Sequence, residues 1–413
     1  MNFFLKYILL PLFLFSGSFF FAQITSEWTT FDESNSFLPN NTIQCLKVDR
    51  QNNLWIGTDW GLAKLEGDNW SIYNTSNSGL TDNSIRAIDV DAENTIWVGT
   101  TLGGLFNFDG TNWTQFNTSN SGIPTNFVRS IKVDSLNNKW VGTVEGLAKF
   151  DGNSWQTWTI ANASILSNNI TSIAEGKNHM MHIGTINGGL LYVQNNLLTN
   201  YTLLDNSVPD NSSITVQVDK LGKPWYASTA QGLFTDVGNQ IWMVFNVSNS
   251  GIPSNSLTTM KLDLDQNFYI GTHLNGLAIR TKMNEWRNYT TDNSSLPENH
   301  ILSLEKDSSG YIWIGTYSKG LVRLHESALG LTEQTTSETE IFPNPAESNS
   351  LIQIRSSMPL VEICIIDSQG KKIFQSMEIE FQSEITLPIL LSGIYTIQLI
   401  YDKGILYKKL TIR

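Results

Sequence analysis

The sequence predicts an all-β protein: a seven-bladed β-propeller closed by its N-terminal strand, followed by a small C-terminal β-sandwich. Three observations carry that expectation. A phrase spelled most clearly over residues 54–73, LWIGTDWGLAKLEGDNWSIY, returns at a near-fixed period. Inside it, runs of β-forming residues alternate with short Gly, Asn and Asp breaks, as successive antiparallel strands do. The closing strand of the phrase is also displaced, with one copy alone at the front and none after the last repeat.

The glycine of the W-I-G-T word, or its substitute, falls at Gly57, Gly99, Gly142, Gly184, Ala227, Gly271 and Gly315, separated by 42, 43, 42, 43, 44 and 44 residues. A Gly-Leu word follows each time: Gly61-Leu62, Gly104-Leu105, Gly146-Leu147, Gly189-Leu190, Gly232-Leu233, Gly276-Leu277 and Gly320-Leu321. A period of roughly 40–50 residues with four strands per unit marks propeller blades. The closing strand reads Trp70-x-x-Tyr73, Trp113-x-x-Phe116, Trp155-x-x-Trp158, a weakened Leu198-x-x-Tyr201, Trp242-x-x-Phe245 and Trp286-x-x-Tyr289. The orphan copy is Trp28-Thr29-Thr30-Phe31, expected to complete the seventh blade and remove an unpaired sheet edge at the seam.

Other repeated positions read as architecture. An Asn (Asn41, Asn83, Asn126, Asn168, Asn211, Asn255, Asn299) stands eight residues before the first-hairpin Asp49, Asp91, Asp134, Gly176, Asp219, Asp263 and Asp307. Such side chains hydrogen-bond their own backbone in turns. All but one of the thirteen tryptophans fit the repeat and are expected between blades, where aromatics bury most area. Trp60 is the exception.

Residues 1–22 read as a secretory leader, with Lys6, an apolar run from Tyr7 to Phe21, and a cut after Ala22. The run is shorter than the ~20 residues of a membrane anchor. The propeller is assigned to 23–325. Lys and Arg number 26 against 38 Asp and Glu, a net charge of −12 that disfavours nucleic acid and anionic membranes. Cys45 and Cys364, the only cysteines, sit in different domains and read as buried free thiols. No cofactor or metal is expected; His179 and His182 lack a third ligand nearby.

Function on a rigid scaffold belongs to loops. The loop before the first strand of a blade and the loop between its second and third strands share one face. The latter varies: Asp59 and Trp60 in blade one, His273 and Asn275 in blade six, Tyr317 and Lys319 in blade seven. The loop leading into blade seven adds Glu298 and His300. These three blades become neighbours on closure, and their sector is the candidate site for a polar ligand such as a glycan stacked on Trp60 or Tyr317.

The repeat words resemble those of the two-component regulator propeller family over roughly residues 26–325. The family implies extracytoplasmic sensing, often of glycans and often in Bacteroidetes. No kinase-like segment follows, so the resemblance speaks to fold and ligand class rather than signalling.

Residues 326–340, rich in Glu, Ser and Thr, read as a solvated linker. Residues 341–413 carry short alternating runs suited to a small sandwich. Phe342-Pro343-Asn344-Pro345-Ala346, the Asp367-x-x-Gly370-Lys371 turn, Gly393-Ile394-Tyr395 and Lys408–Ile412 resemble the C-terminal sorting domain of type IX secretion substrates. That resemblance implies the type IX machinery as partner, passage across the outer membrane, and a secreted or cell-surface address. Two functions follow: a non-catalytic recognition propeller, which is favoured, and a polysaccharide lyase or glycosidase using the same sector. A lyase would use His273 or His300 as base and Tyr317 as acid. A glycosidase has only Asp59 and Glu298 to offer.

Overall fold

The computed structural model describes residues 24–203, 208–237, 241–328, 340–355, 360–367, 372–379, 382–401 and 404–413. The leader expected at 1–22 and most of the linker expected at 326–340 lie outside them. Residues 24–327 form one compact unit and the chain from 328 onward another.

The first unit is seven four-stranded antiparallel sheets. Blade one runs Ile43–Val48, Leu54–Thr58, Gly61–Glu66 and Asn69–Tyr73, and the next five repeat that order. Blade seven has Ile301–Lys306, Ile312–Thr316 and Leu321–Ala328 from the end of the repeat, with Ile24–Phe31 as its outer strand. The N-terminal strand therefore closes the ring. Each inner strand packs beside the inner strand of the next blade, and the last, Ile301–Lys306, packs beside the first, Ile43–Val48.

Glycine in the W-I-G-T word is fixed by this packing. A Cβ on Gly315 would stand 2.7 Å from Ile43 Cγ2 of blade one, and one on Gly57 would stand 2.7 Å from Ile85 Cγ2 of blade two. In these blades the inner strand of the next blade lies against that backbone and leaves no room for a side chain, whereas blade five buries the methyl group of Ala227 at the same position.

The repeated Asn and Asp are architectural, as expected. All seven Asn side chains accept a backbone N–H from the turn eight residues earlier, Glu33 to Asn41 and Thr291 to Asn299 among them, at 2.7–3.0 Å. The hairpin Asp does something the spacing alone does not reveal. Its second carboxylate oxygen accepts the indole N–H six residues on, Trp55, Trp97, Trp140, Trp225 and Trp313 donating at 2.8–3.3 Å. In blade six Tyr269 donates its hydroxyl to Asp263 instead. Blade four has lost both partners together, with Gly176 for Asp and His182 for Trp.

Aromatic packing between blades is as expected. Trp55 meets Phe108 of blade two edge-on at 6.3 Å, and Tyr73 meets Trp113 at 5.8 Å. Cys45 departs from expectation. It is half-buried, lining the central channel, although its thiol packs against Gly57 and burial pushes its pKa up to about 12. Both cysteines are free.

The boundary also moves. The strand Leu321–Ala328 runs past His325, and Glu326 accepts hydrogen bonds from Arg287 and from the Tyr289 hydroxyl of blade six. Glu326 thus belongs to the propeller and not to a solvated linker.

In the second unit Glu340–Phe342, Leu351–Arg355 and Gln382–Thr386 form one sheet. Leu360–Ile366, Lys372–Ile379, Gly393–Tyr401 and Gly404–Ile412 form another. Ile352 and Ile354 of the first share one buried core with Ile363, Ile365, Ile397 and Leu410 of the second. Asn344 clips the last strand, accepting the Thr411 N–H at 3.0 Å and donating to the Lys409 carbonyl at 2.6 Å. Part of the Asp367–Lys371 turn, residues 368–371, lies outside the described residues.

Candidate functional site

The loops between second and third strands are held from below by the threonine of the W-I-G-T word. Thr58, Thr272 and Thr316 donate to the carbonyls of Gly61, Gly276 and Gly320 at 2.8 Å. They also accept backbone N–H groups of Trp60, Asn275 and Lys319 at 2.9–3.1 Å. Gly276 and Gly320 close the loops at φ +74° and +81°, where a side chain would also run into a backbone carbonyl. These hydrogen bonds hold the loop tips, with the side chains of Trp60, Asn275, Tyr317 and Lys319 exposed.

Three predicted residues come together. The His273 and His300 rings meet edge-on with centroids 4.3 Å apart, and His300 stacks on Tyr317 at 4.9 Å with planes 15° apart. The Tyr317 N–H donates to the His300 carbonyl at 3.1 Å, tying the two loops of blade seven. Burial, and then the neighbouring His273, lower the His300 pKa against an opposing pull from Glu298. Tyr317 is 53% exposed, so the stack presents an open aromatic surface.

The other predicted residues sit around this stack with different roles. Glu298 is spent on the loop, accepting the Ser318 N–H at 2.7 Å and its hydroxyl at 3.0 Å. Asn275 and Lys319 have exposed side chains, and Lys319 lies close enough to Asp32 to help hold that carboxyl below its usual range, behind the larger effect of the Ser34 hydrogen bonds. Trp60 is 68% exposed on the same face of blade one. Asp59 turns away toward the channel, where Gln44 donates to it at 3.1 Å and Arg86 pairs with it at 3.3 Å.

The repeat motifs do not reveal the central channel. It encloses about 610 Å³ and is lined by the seven inner strands. Every inner strand carries a β-bulge after its first residue, as between Ile43 and Cys45. Bulges re-aim side chains, and here the bulge holds Gln44, Arg86, Arg129, Thr171, Ile214, Thr258 and Leu302 at the loop-bearing end of the channel. Three residues deeper, five consecutive blades alternate in sign: Lys261, Glu305, Lys47, Asp89 and Lys132. Lys47 pairs with Asp89 at 2.6 Å and Lys261 with Glu305. Among the described residues no cluster of His, Cys, Asp and Glu is arranged to hold a metal.

Comparison with known proteins bears on both units. The two component regulator propeller model matches residues 38–60, 79–101 and 295–318, in blades one, two and seven. The secretion system C-terminal sorting domain model matches residues 340–413. This is a propeller with a type IX sorting tail. Such a tail marks a chain for export to the cell surface or beyond, and no helix among the described residues is long and apolar enough to cross a membrane.

Among solved structures the chain is similar to the extracellular domain of BT3049, named as a hybrid two component system of B. thetaiotaomicron. The TM-score is 0.63 at 19% identity, covering 94% of this chain and 57% of that one. It is similar to PorZ, a surface component of the type-IX secretion system of Porphyromonas gingivalis, at TM-score 0.58 and 15% identity, covering 93% and 60%. Virginiamycin B lyase from Staphylococcus aureus matches at TM-score 0.59 and 9% identity, covering 73% and 99%. At these identities the likeness shows the fold. The chain spans less than two thirds of the length of the first two. Comparison with curated proteins gives no match.

Proposed function

We infer that the protein is a non-catalytic recognition propeller, exported by the type IX machinery, that binds glycan on the face of blades six, seven and one. The observation that carries this reading is the ordered stack of His273, His300 and Tyr317, with Trp60 exposed on the neighbouring blade. Aromatic faces held by packing receive the apolar faces of sugar rings at little entropic cost. Asn275 and Lys319, exposed at the rim, supply polar contacts for hydroxyl groups.

The glycosidase alternative is weakened because its two carboxylates are already engaged, Asp59 with Arg86 and Gln44, and Glu298 with Ser318. A screen of the mature protein on a glycan array, with a parallel assay for new reducing ends and unsaturated products, tests the reading. Binding without turnover that Tyr317→Ala and His273→Ala both weaken about tenfold is the expected result. Turnover, or binding indifferent to both variants, refutes it.

A further inference from the structure

The net charge of −12 hides a basic interior. Of the channel-lining residues, Lys47, Arg86, Arg129, Lys132 and Lys261 are cationic, against Asp89, Glu175 and Glu305. Deeper in the channel the charges are arranged to neutralise one another, Lys47 with Asp89 and Lys261 with Glu305. At the loop-bearing mouth only one of two arginines has such a partner. Arg86 and Arg129 occupy the same bulge position on adjacent inner strands, where the other five blades carry no charge.

Their partners are unequal. Arg86 pairs with Asp59 at 3.3 Å and donates to Thr101 at 2.9 Å. Arg129 donates one Nη1–H to the neutral Asn169 amide at 2.7 Å, and among the described residues it has no ion pair. Its guanidinium is partly buried and feels the charge of Arg86, and both influences favour its losing a proton. Two like charges side by side, one lacking a counter-charge, are an arrangement that stability alone disfavours and that a bound anion relieves. The geometry points to Arg86 and Arg129 as an anion-binding pair at the channel mouth, taking the carboxylate or sulfate of an acidic oligosaccharide.

The pair and the aromatic stack open onto the same face, so one acidic chain can engage both. Assigning the anion to a sugar rests on the glycan reading above; anion binding by the two arginines does not. A guanidinium presents parallel N–H donors that match a carboxylate or sulfate edge. Arg129, whose described partner is Asn169 alone, has the larger share of that capacity free.

Calorimetric titration of the mature protein at low salt, with oligogalacturonate, a sulfated oligosaccharide and a neutral maltooligosaccharide as probes, tests the proposal. Either acidic probe is expected to bind at least tenfold more tightly than the neutral one, with affinity falling as salt rises. Arg129→Gln should remove about tenfold of that affinity and leave neutral-sugar binding unchanged. The relative strength of the two acidic probes identifies the anion as carboxylate or sulfate. Phenylglyoxal labelling of the wild-type protein, read by mass spectrometry at Arg86 and Arg129, gives an answer without any substitution, because the bound acidic probe should shield both. Equal affinity for acidic and neutral probes, or an acidic affinity untouched by Arg129→Gln, overturns the pair. If Tyr317→Ala leaves the acidic affinity intact while Arg129→Gln removes it, the arginine pair stands and the aromatic reading falls.

Discussion

Phe31 and Trp313, from opposite ends of the propeller sequence, lie ring to ring at 6.0 Å. Phe31 also sits 6.0 Å from Trp70 of blade one, so a single side chain joins the closing strand, blade seven and blade one. The seam is thus stitched by the residue that the displaced W-x-x-F copy supplies. Phe31 is half-buried, so Phe31→Ala should cost about 2–3 kcal/mol, less than the ~3–5 kcal/mol of a fully enclosed phenylalanine. Deleting residues 24–31 should do worse by exposing the edge of Leu321–Ala328. Urea midpoints and light scattering report both effects, and an unchanged midpoint for Phe31→Ala would deny the seam its role.

The Asp–Trp couple predicts an asymmetry between blades. Asp134 is 8% exposed and accepts from the Leu136 and Asn138 backbones, the Asn138 side chain and the Trp140 indole. Asp134→Ala leaves several buried donors without partners and should destabilise by about 2–4 kcal/mol. Gly176→Asp, which restores the consensus in blade four, should not stabilise. A Cβ there would stand 2.5 Å from His182 Nε2. Thermal unfolding of the two variants settles the contrast, and a gain in stability from Gly176→Asp is the outcome that contradicts it.

Ring closure, the number of blades and the sorting tail were all legible in the sequence, because each depends on words that keep register. The candidate site is legible in part for the same reason. Trp60, His273 and Tyr317 stand out by failing to repeat. Arg86 and Arg129 also fail to repeat, yet a single arginine in a strand looks like any solvated side chain. Only the bulge, a backbone event invisible in residue type, turns both into the channel. Nor does residue type show that Asp59, in the ligand sector by its loop position, has its partners Gln44 and Arg86 on inner strands. Glu326 reads as linker because its neighbours downstream are polar, whereas Arg287 and Tyr289 of blade six hold it in the fold.

His182 makes stability depend on pH. It is 4% exposed beside Tyr226 and Tyr192, and burial lowers its pKa to about 4. The folded state therefore favours neutral imidazole, while the unfolded chain takes up a proton near the ordinary value of 6.5. Stability from this residue is complete above about pH 6.5 and is lost as pH falls toward 4, by an amount on the order of 3 kcal/mol. The tyrosines packed on it titrate far above this window, since burial raises both. His182→Asn should flatten the slope of unfolding free energy between pH 7 and 4. A slope as steep as that of the wild type would assign the dependence elsewhere.

Where the propeller ends and the export signal begins can be separated by two truncations. Glu326 accepts from Arg287 Nη1 at 3.0 Å and from Tyr289, so a chain stopping after His325 loses a partly buried carboxylate that holds the outer strand of blade six. A chain stopping after Ala328 keeps every propeller strand. The shorter chain should unfold at a lower temperature, by about 1–3 kcal/mol for the lost charge-assisted hydrogen bonds, and the longer should match the intact propeller. Neither carries the residues matched by the sorting-domain model, 340–413. Both should therefore collect in the periplasm, beyond reach of protease added to intact cells, while the full chain is cleaved or released. Surface display of the chain ending at Ala328 would take export away from the tail and place its signal in the propeller.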